Sequence, residues 1–419
     1  MKTRYSAIAS ALAAIMASSP ASAIQFDGFF TVGAATHDDK NKNRYIGSLG
    51  DRGITDDITF ETDTRFGLQI SSDIADNASV VAQILATGVD ANFNAVVEWA
   101  YVDYEFNKYM SLRAGKIKQP VYLVNDYVEV GFAYPWIRPP VEVYYLNNPL
   151  NTVNGAELLL SFPIGKGQLT FQPYIGSNRD DIPNTGGVAF FEAEGIAGID
   201  VKYAAPGYLV HASTFHCREV NTQGNLTNVP TAFGFSVDVD LNGTGKCDVT
   251  SAGLNLDLSN FVVYAEWQER TTSDTLARPF GDTEAWYTTF GYRFGKWLPH
   301  ITFASIEGKA ATINPGAVSC ALSSGGCTTP LGPVPAGTPL FNFPVPIQTS
   351  VTAGLRYEVN DSAALKIEYS VVDVENDPAE VASSNNPFGI NFGLFDTSFT
   401  GASPNEKVGI TSIALDVIF

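Results

Sequence analysis

The sequence predicts an all-β chain, a 16-stranded antiparallel transmembrane β-barrel. Three observations predict it. After residue 23 no window holds about 18 consecutive apolar residues, so no helix is long enough to span a bilayer. Sixteen stretches instead alternate with period two, and most have the ~9–11 residues that a tilted strand needs to cross the hydrocarbon layer. The links between them alternate short and long. In lipid every backbone polar group must be satisfied by the chain itself, so a sheet that crosses must close.

The first element is excluded from the fold. MKTRYSAIASALAAIMASSPASA carries Lys2 and Arg4, an apolar run from Ala7 to Ala17 and the small-residue end Ala21-Ser22-Ala23, the pattern of a cleaved secretory signal peptide over residues 1–23. The barrel domain is then 24–419. Its strands are read at 24–35, 64–74, 79–87, 95–106, 109–118, 154–163, 168–178, 197–205, 208–216, 249–258, 260–270, 284–294, 297–306, 348–359, 362–374 and 406–419. Trp286, Thr288, Phe290, Tyr292 and Phe294 share one face of their strand and Tyr287, Thr289, Gly291 and Arg293 the other; the apolar face is expected to meet lipid and the polar face a wet interior. A soluble sandwich alternates in the same way, so the links decide more. Those after even strands are tight, such as Pro206-Gly207 or Ser259. Those after odd strands are mostly long, as periplasmic turns and external loops require, with 88–94 the short exception.

The longest apolar connection, 118–153, follows the fifth strand. It is aromatic and proline-bearing (QPVYLVNDYVEVGFAYPWIRPPVEVYYLNNPLNTVN), and such a loop gains nothing by dangling in water. It is expected to fold into the barrel and narrow the lumen. The chain ends on SIALDVIF, with Ile413, Leu415, Val417 and Phe419 on one face. This end resembles the signal by which the barrel-assembly machinery recognises outer-membrane proteins.

With these residues in view, the chain from 24 to 419 resembles the Gram-negative general porins. The resemblance implies a homotrimer of water-filled channels in the outer membrane, each narrowed by an inward third loop. In that family the fifth strand ends in Gly-Arg and faces acidic residues of the loop; Gly115-Lys116 stands there in this chain. The acidic Pro-Glu-Phe-Gly-Gly run of enterobacterial porins is absent, and the loop carries Phe132, Tyr134, Trp136, Arg138, Pro139 and Pro140 instead. The second loop, a subunit latch in those porins, is stunted. The expected pore constriction combines Arg65, Arg113 and Lys116 on the wall with Asp126, Glu129, Arg138 and Glu142 on the loop. Strict alternation points Arg113 inward and Lys116 outward; a bulge at Gly115 would bring Lys116 into the pore, and both readings stay open.

Charge narrows the function classes. Without Lys2 and Arg4 the chain holds 23 Lys+Arg against 44 Asp+Glu, a net charge of −21, which argues against nucleic acid as a partner. Lumen-facing strand positions carry balanced signs, so the excess falls in loops and mouths and favours cations weakly. Four cysteines in an exported chain point to disulfides, Cys217 with Cys247 and Cys320 with Cys327, each within one external loop. Asp238, Asp240 and Asn242 have calcium-loop spacing, but Val249 stands where the bidentate Glu belongs, so a polar turn competes with a calcium site and no other cofactor is expected. No catalytic set is found among the motifs or the four histidines. The expected function is passive diffusion of small hydrophilic solutes. The alternatives are a channel selective for a sugar or small organic solute, with Tyr122, Tyr127, Tyr134, Trp136, Tyr144 and Tyr145 stacking on it, and a surface adhesin or structural barrel.

Overall fold

All sixteen alternating stretches form strands, and these pair in sequence order into one closed antiparallel barrel. The structure, a computed structural model, describes residues 24–41, 44–45, 53–89, 93–144, 151–181, 190–230, 236–240, 242–273, 282–308, 318–320, 326–329, 332–335, 347–374, 395–396 and 407–419. The signal-peptide segment lies outside them. We number the barrel strands β1 (Gln25–His37), β2 (Arg65–Ala75), β3 (Ala78–Thr87), β4 (Ala95–Asn107), β5 (Met110–Lys118), β6 (Thr152–Ile164), β7 (Gly167–Asp181) and β8 (Phe190–Ala205). The second half holds β9 (Tyr208–Gln223), β10 (Gly243–Leu258), β11 (Phe261–Thr272), β12 (Thr283–Tyr292), β13 (Trp297–Gly308), β14 (Ile347–Asn360), β15 (Ala363–Val374) and β16 (Lys407–Ile418).

Closure comes from the last strand lying against the first, with Phe29 opposite Ile418 and Phe30 opposite Val417. Gly28 N–H donates to Phe419 O at 2.8 Å and Phe419 N–H to Gly28 O at 3.0 Å, so the terminal residue completes the ladder. Its ring stacks on Phe66 at 6.4 Å and lies where a Cβ on Gly28 would stand. The outward positions are apolar: Trp286, Phe290, Ile301, Phe303, Val351, Ile367 and Ile413 are exposed, while Tyr287 and Thr289, their neighbours in sequence, are buried inside. Exposed Phe26, Phe106, Phe162, Tyr208, Phe261 and Trp297 sit beside the short turns, forming the aromatic girdle of one interface.

The barrel is uneven in height. β8, β9 and β10 have 16 residues each, against 9 in β5 and 10 in β12, so one side stands about 20 Å of strand taller. Reading the sequence stops these strands early, at 197, 216 and 249, because charges crowd their outer ends. The strands nevertheless continue, through a bulge that resets the period: the buried inward positions pass from Cys217 to Val220 on β9 and from Ile196 to Ala193 on β8, about Gly195 at φ +59°. Phe191, Ala193, Val220, Cys217, Cys247 and Val249 face inward and are buried, while Glu192, Glu194, Arg218 and Glu219 face out beyond the apolar band.

Cys217 and Cys247 are directly opposite on β9 and β10 and form a disulfide inside this apolar stack. The side chains of Cys320 and Cys327 lie outside the described residues. A non-reducing peptide map is expected to return Cys217 linked to Cys247 and Cys320 linked to Cys327; a link between the two loops would overturn the second pairing. Asp238 and Asp240 fall in a short strand, Ser236–Asp240, that pairs with Asn225–Pro230 and Val318–Cys320, and their side chains too lie outside the description. The Asn242 side-chain oxygen accepts from Gly224 N–H at 3.2 Å.

Candidate functional site

The connection after β5 does turn into the barrel, and its described part, 119–144, has little regular structure. Two 3-10 turns, Asn125–Tyr127 and Gly131–Ala133, are followed by Pro139-Pro140 and one helical turn, α1 (Val141–Tyr144), whose N–H groups of Val143 and Tyr144 reach Pro140 O at 3.1 Å. Irregular backbone leaves N–H and C=O groups unpaired, and buried ones need partners. The wall supplies them from charged and hydroxyl side chains. Glu266 on β11 accepts from Leu123 N–H (2.8 Å) and from the Tyr144 hydroxyl (2.7 Å). Glu368 on β15 accepts from Ile137 N–H (2.9 Å). Arg356 donates to the carbonyls of Phe132 (2.6 Å) and Tyr134 (2.9 Å), and Lys366 to those of Gly131 (2.5 Å) and Trp136 (2.6 Å). Ser213 and Ser251 both donate to Val121 O.

Apolar packing reinforces these bonds. Tyr122, Tyr134 and Trp136 are fully buried in one cluster with Val262, Tyr264, Ala285, Tyr287, Ala304 and Ile306, all lumen positions of β11 to β13. The Trp136 ring meets Tyr264 edge-on at 4.7 Å and its Nε1–H donates to Thr289 at 2.9 Å. These rings pack the loop on the wall, with Tyr144 hydroxyl-bound to Glu266, and among the described ones Tyr127 and Tyr144 are half-buried; Tyr145 lies outside the described residues. The first loop adds a second layer. Tyr45 and Ile54 join Ala35, Val372, Val374, Val408 and Ile410 in a buried cluster against Val141, and the Tyr45 hydroxyl accepts from Gln348 at 3.2 Å. The half of the mouth over β14 to β16 and β1 is thereby filled.

The predicted constriction residues divide. Arg113 faces inward, bonded to Asp103 (2.9 Å) and Glu157 (3.2 Å) on its two neighbouring strands. Glu129 pairs with Arg65 at 3.2 Å. Asp126 pairs with Lys202 on β8 at 2.9 Å, rather than with the Arg65 and Arg113 side, and Lys202 also meets Asp200 at 3.4 Å. Lys116 does not join them. Register is unbroken across Gly115, with Arg113 opposite Glu157 and Lys116 opposite Asn154, so the bulge that would turn Lys116 inward does not exist. Its amine stays on the outer face and donates to Val97 O at 2.8 Å. Gly115 instead serves close approach: its φ is +143°, and a Cβ there would strike Ala100 O. Arg138 is buried on Asp63 and Ser412, and Glu142 is buried on Gln348 at 3.0 Å, so both fix the loop away from open water.

At the level of the loop, charges that retain water access are on the other side, whereas Arg293 with Asp257, and Glu358, are open beside the short turns of β10, β12 and β14. Asp126 keeps 51% of its side chain exposed and Arg113 30%, with Asp103, Glu129 and Lys202 partly open beside them. The passage is therefore off-centre, along β4 to β8, between this wall and the edge of the loop. The sequence reading missed Asp63 and the buried pair Lys118–Glu98 (2.6 Å), which ties the loop's root to β4. Glu98 sits where β4 slips register against β3, which no local pattern announces.

No protein-family model matches the sequence, and no curated protein does. Solved structures do. The chain is similar to OmpT, an outer membrane protein of Vibrio cholerae, in its in-vitro folded form, with a TM-score of 0.54 at 11% identity over 96% of this chain and 98% of that one. It is similar also to the trimer form of that protein (TM-score 0.50, 11% identity, 96% and 100% covered). The same holds for Salmonella typhi OmpF in complex with daunomycin (TM-score 0.51, 12% identity, 95% and 98% covered). The likeness is one of fold, a porin-like outer-membrane β-barrel.

Proposed function

We propose that the protein is a homotrimeric channel of the Gram-negative outer membrane, through which small hydrophilic solutes diffuse passively with a weak preference for cations. The observation that carries the reading is the inward loop. It is bonded along one side of the lumen from β9 to β16 and leaves the β4 to β8 side lined with partly exposed charges of both signs. A structural barrel or adhesin has no use for an off-centre, charge-lined gap.

Planar bilayers under a KCl gradient test this. A steady conductance with a small cation-directed reversal potential, shrinking at high salt, is expected; absence of current would refute the channel, and clear anion preference the charge argument. The trimer is argued from β4. Val96, Val97, Val102 and Tyr104 are exposed on a strand that also carries the outward Lys116–Val97 contact beside it, a face better covered by another subunit than by lipid. Native mass in mild detergent is expected to be that of three chains, and a monomeric mass would remove the claim.

A further inference from the structure

A buried histidine of the lumen wall stands between two carboxylates, one of which holds the third loop. His211 lies on β9, and its side chain has no exposure to water. Its Nδ1 is 3.1 Å from Asp200 Oδ1 on β8 and its Nε2 is 3.3 Å from Glu266 Oε1 on β11. To reach β11 the ring crosses β10, where its ladder partner is Gly253, and a Cβ on Gly253 would stand 2.7 Å from the ring. The glycine is what lets one imidazole span three strands. Both carboxylates are engaged as acceptors by other groups: Glu266 takes the Leu123 N–H on one oxygen and the Tyr144 hydroxyl on the other, and Asp200 faces the Lys202 ammonium at 3.4 Å. A neutral imidazole has one N–H and one lone pair, so one of its nitrogens would point a lone pair at a carboxylate oxygen. Only the doubly protonated ring satisfies both contacts.

We propose that His211 is an imidazolium shared by Asp200 and Glu266 and is a positioning residue of the constriction, keeping Glu266 an ionised acceptor that fixes the third loop at Leu123 and Tyr144. The inference deepens the channel reading, since it names the group that sets the loop on this side of the lumen. Through Asp200 and Lys202 the same chain of charges returns to the loop at Asp126, so the stretch from Leu123 to Asp126 is held at both ends. Losing the proton leaves two buried carboxylates with one cation fewer, and a buried charge without its partner is costly. Glu266 must then take up a proton or water, and either displaces a bond to the loop. The titratable groups around His211 are Asp200 and Lys202 of β8, Glu266 of β11, Tyr287 of β12, and Asp126 and Tyr144 of the loop. β10 presents Gly253 there. The hold is therefore complete while His211 carries both protons and is lost as pH rises.

The test uses the full chain in detergent. With nitrogen-15 at histidine, the His211 signal, identified by its loss in His211→Gln, is expected to show both ring nitrogens protonated at neutral pH; a neutral ring overturns the proposal. Cleavage by subtilisin within 119–144, normalised to an unfolded substrate, is expected to rise roughly tenfold in the unaltered protein between neutral and alkaline pH. It should reach the rate of His211→Gln, which is fast at neutral pH and nearly independent of pH. That variant keeps Lys202 and the tyrosines, so their own titration cancels in the comparison. His216→Gln, on the outer face beside Asp248, should keep the unaltered profile. Cleavage of the unaltered protein that ignores pH, a His211→Gln chain as protected as the unaltered one, or an equal pH response in both would each overturn the assignment. If His211→Gln does not fold, Gly253→Ala takes its place, because it pushes the ring off Glu266 while keeping every charged group. The shift it causes then identifies the His211 signal, and faster cleavage at neutral pH supports the role, whereas an unchanged rate removes it. If the protein carries no current, the channel reading fails by itself, and the nitrogen signal and the cleavage still decide the role of His211.

Discussion

Replacing Lys366 by methionine is expected to release the third loop from the wall while the barrel stays closed, giving a larger and noisier conductance. The Lys366 side chain has no exposure to water, and its amine meets three acceptors: Gly131 O, Trp136 O and the Asp416 carboxylate at 2.8 Å. Methionine fills a similar volume but supplies no proton. The Trp136 carbonyl then loses its donor, the Gly131 carbonyl keeps only a long bond from Tyr134 N–H at 3.5 Å, and Asp416 keeps only the Thr31 hydroxyl at 2.7 Å. Breaking a buried ion pair from one side costs about 3–5 kcal/mol. No single contact of the loop offsets that, but the interstrand ladder of the barrel does not depend on it. The strain is therefore relieved where the structure yields, by the loop leaving. Asp416→Asn in the same chain removes the stranded charge, so the double variant should be milder than Lys366→Met alone, by more than the ~0.5 kcal/mol within which independent sites add. Open-channel noise and protease cleavage within 119–144 report release, while circular dichroism reports the barrel. Unchanged conductance and protection would show that the apolar cluster around Trp136 holds the loop without the ammonium.

This clamp marks the limit of what the sequence shows. Period-two alternation and the rhythm of turns give every strand of the barrel, because lipid on one side and water on the other impose the same pattern throughout. Only the tall ends of β8 to β10 escape, where the outer face meets no lipid and Glu192, Glu194 and Arg218 imitate a loop. Alternation also places Arg113 inward and Lys116 outward correctly, and the family pattern pulls Lys116 the wrong way. The loop's contacts are not local. Glu266, Arg356, Lys366 and Glu368 read as wall charges of a wet lumen, and counting them as a balanced field treats as free what is bonded to loop backbone 143 to 235 residues away along the chain or to its side chains. Aromatic content showed that the loop must be buried, but which wall it lies on depends on Val262, Tyr264 and Tyr287, which occupy lumen positions against the usual polarity.

Neutralising Asp126 and Glu129 together, as Asp126→Asn with Glu129→Gln, is expected to reduce the cation preference at low salt and to change little at high salt. Three connected groups of ion pairs line the passage: Arg65–Glu129, Asp103–Arg113–Glu157 and Asp126–Lys202–Asp200. They contain three cations and five carboxylates, a local sum of −2, which the double variant brings to zero. The two substituted groups are the loop's contribution, and Asp126 is the most open carboxylate among them, so its field reaches the solute path with least shielding by protein. A unit charge about 5 Å from an ion in near-aqueous surroundings is worth ~0.8 kcal/mol, and two such charges bound the change in permeability ratio at roughly tenfold. The screening length is about 10 Å at 0.1 M and 3 Å at 1 M, so the effect belongs to dilute KCl. Lys202 retains Asp200, and Arg65 retains the carbonyl of Val128 at 3.5 Å, so the variant should fold with its loop in place. Reversal potentials at the two salt concentrations measure the outcome. If the potential of the double variant matches that of the unaltered protein in dilute KCl, the preference arises in the acidic outer loops, and these carboxylates lie away from the path of the ions.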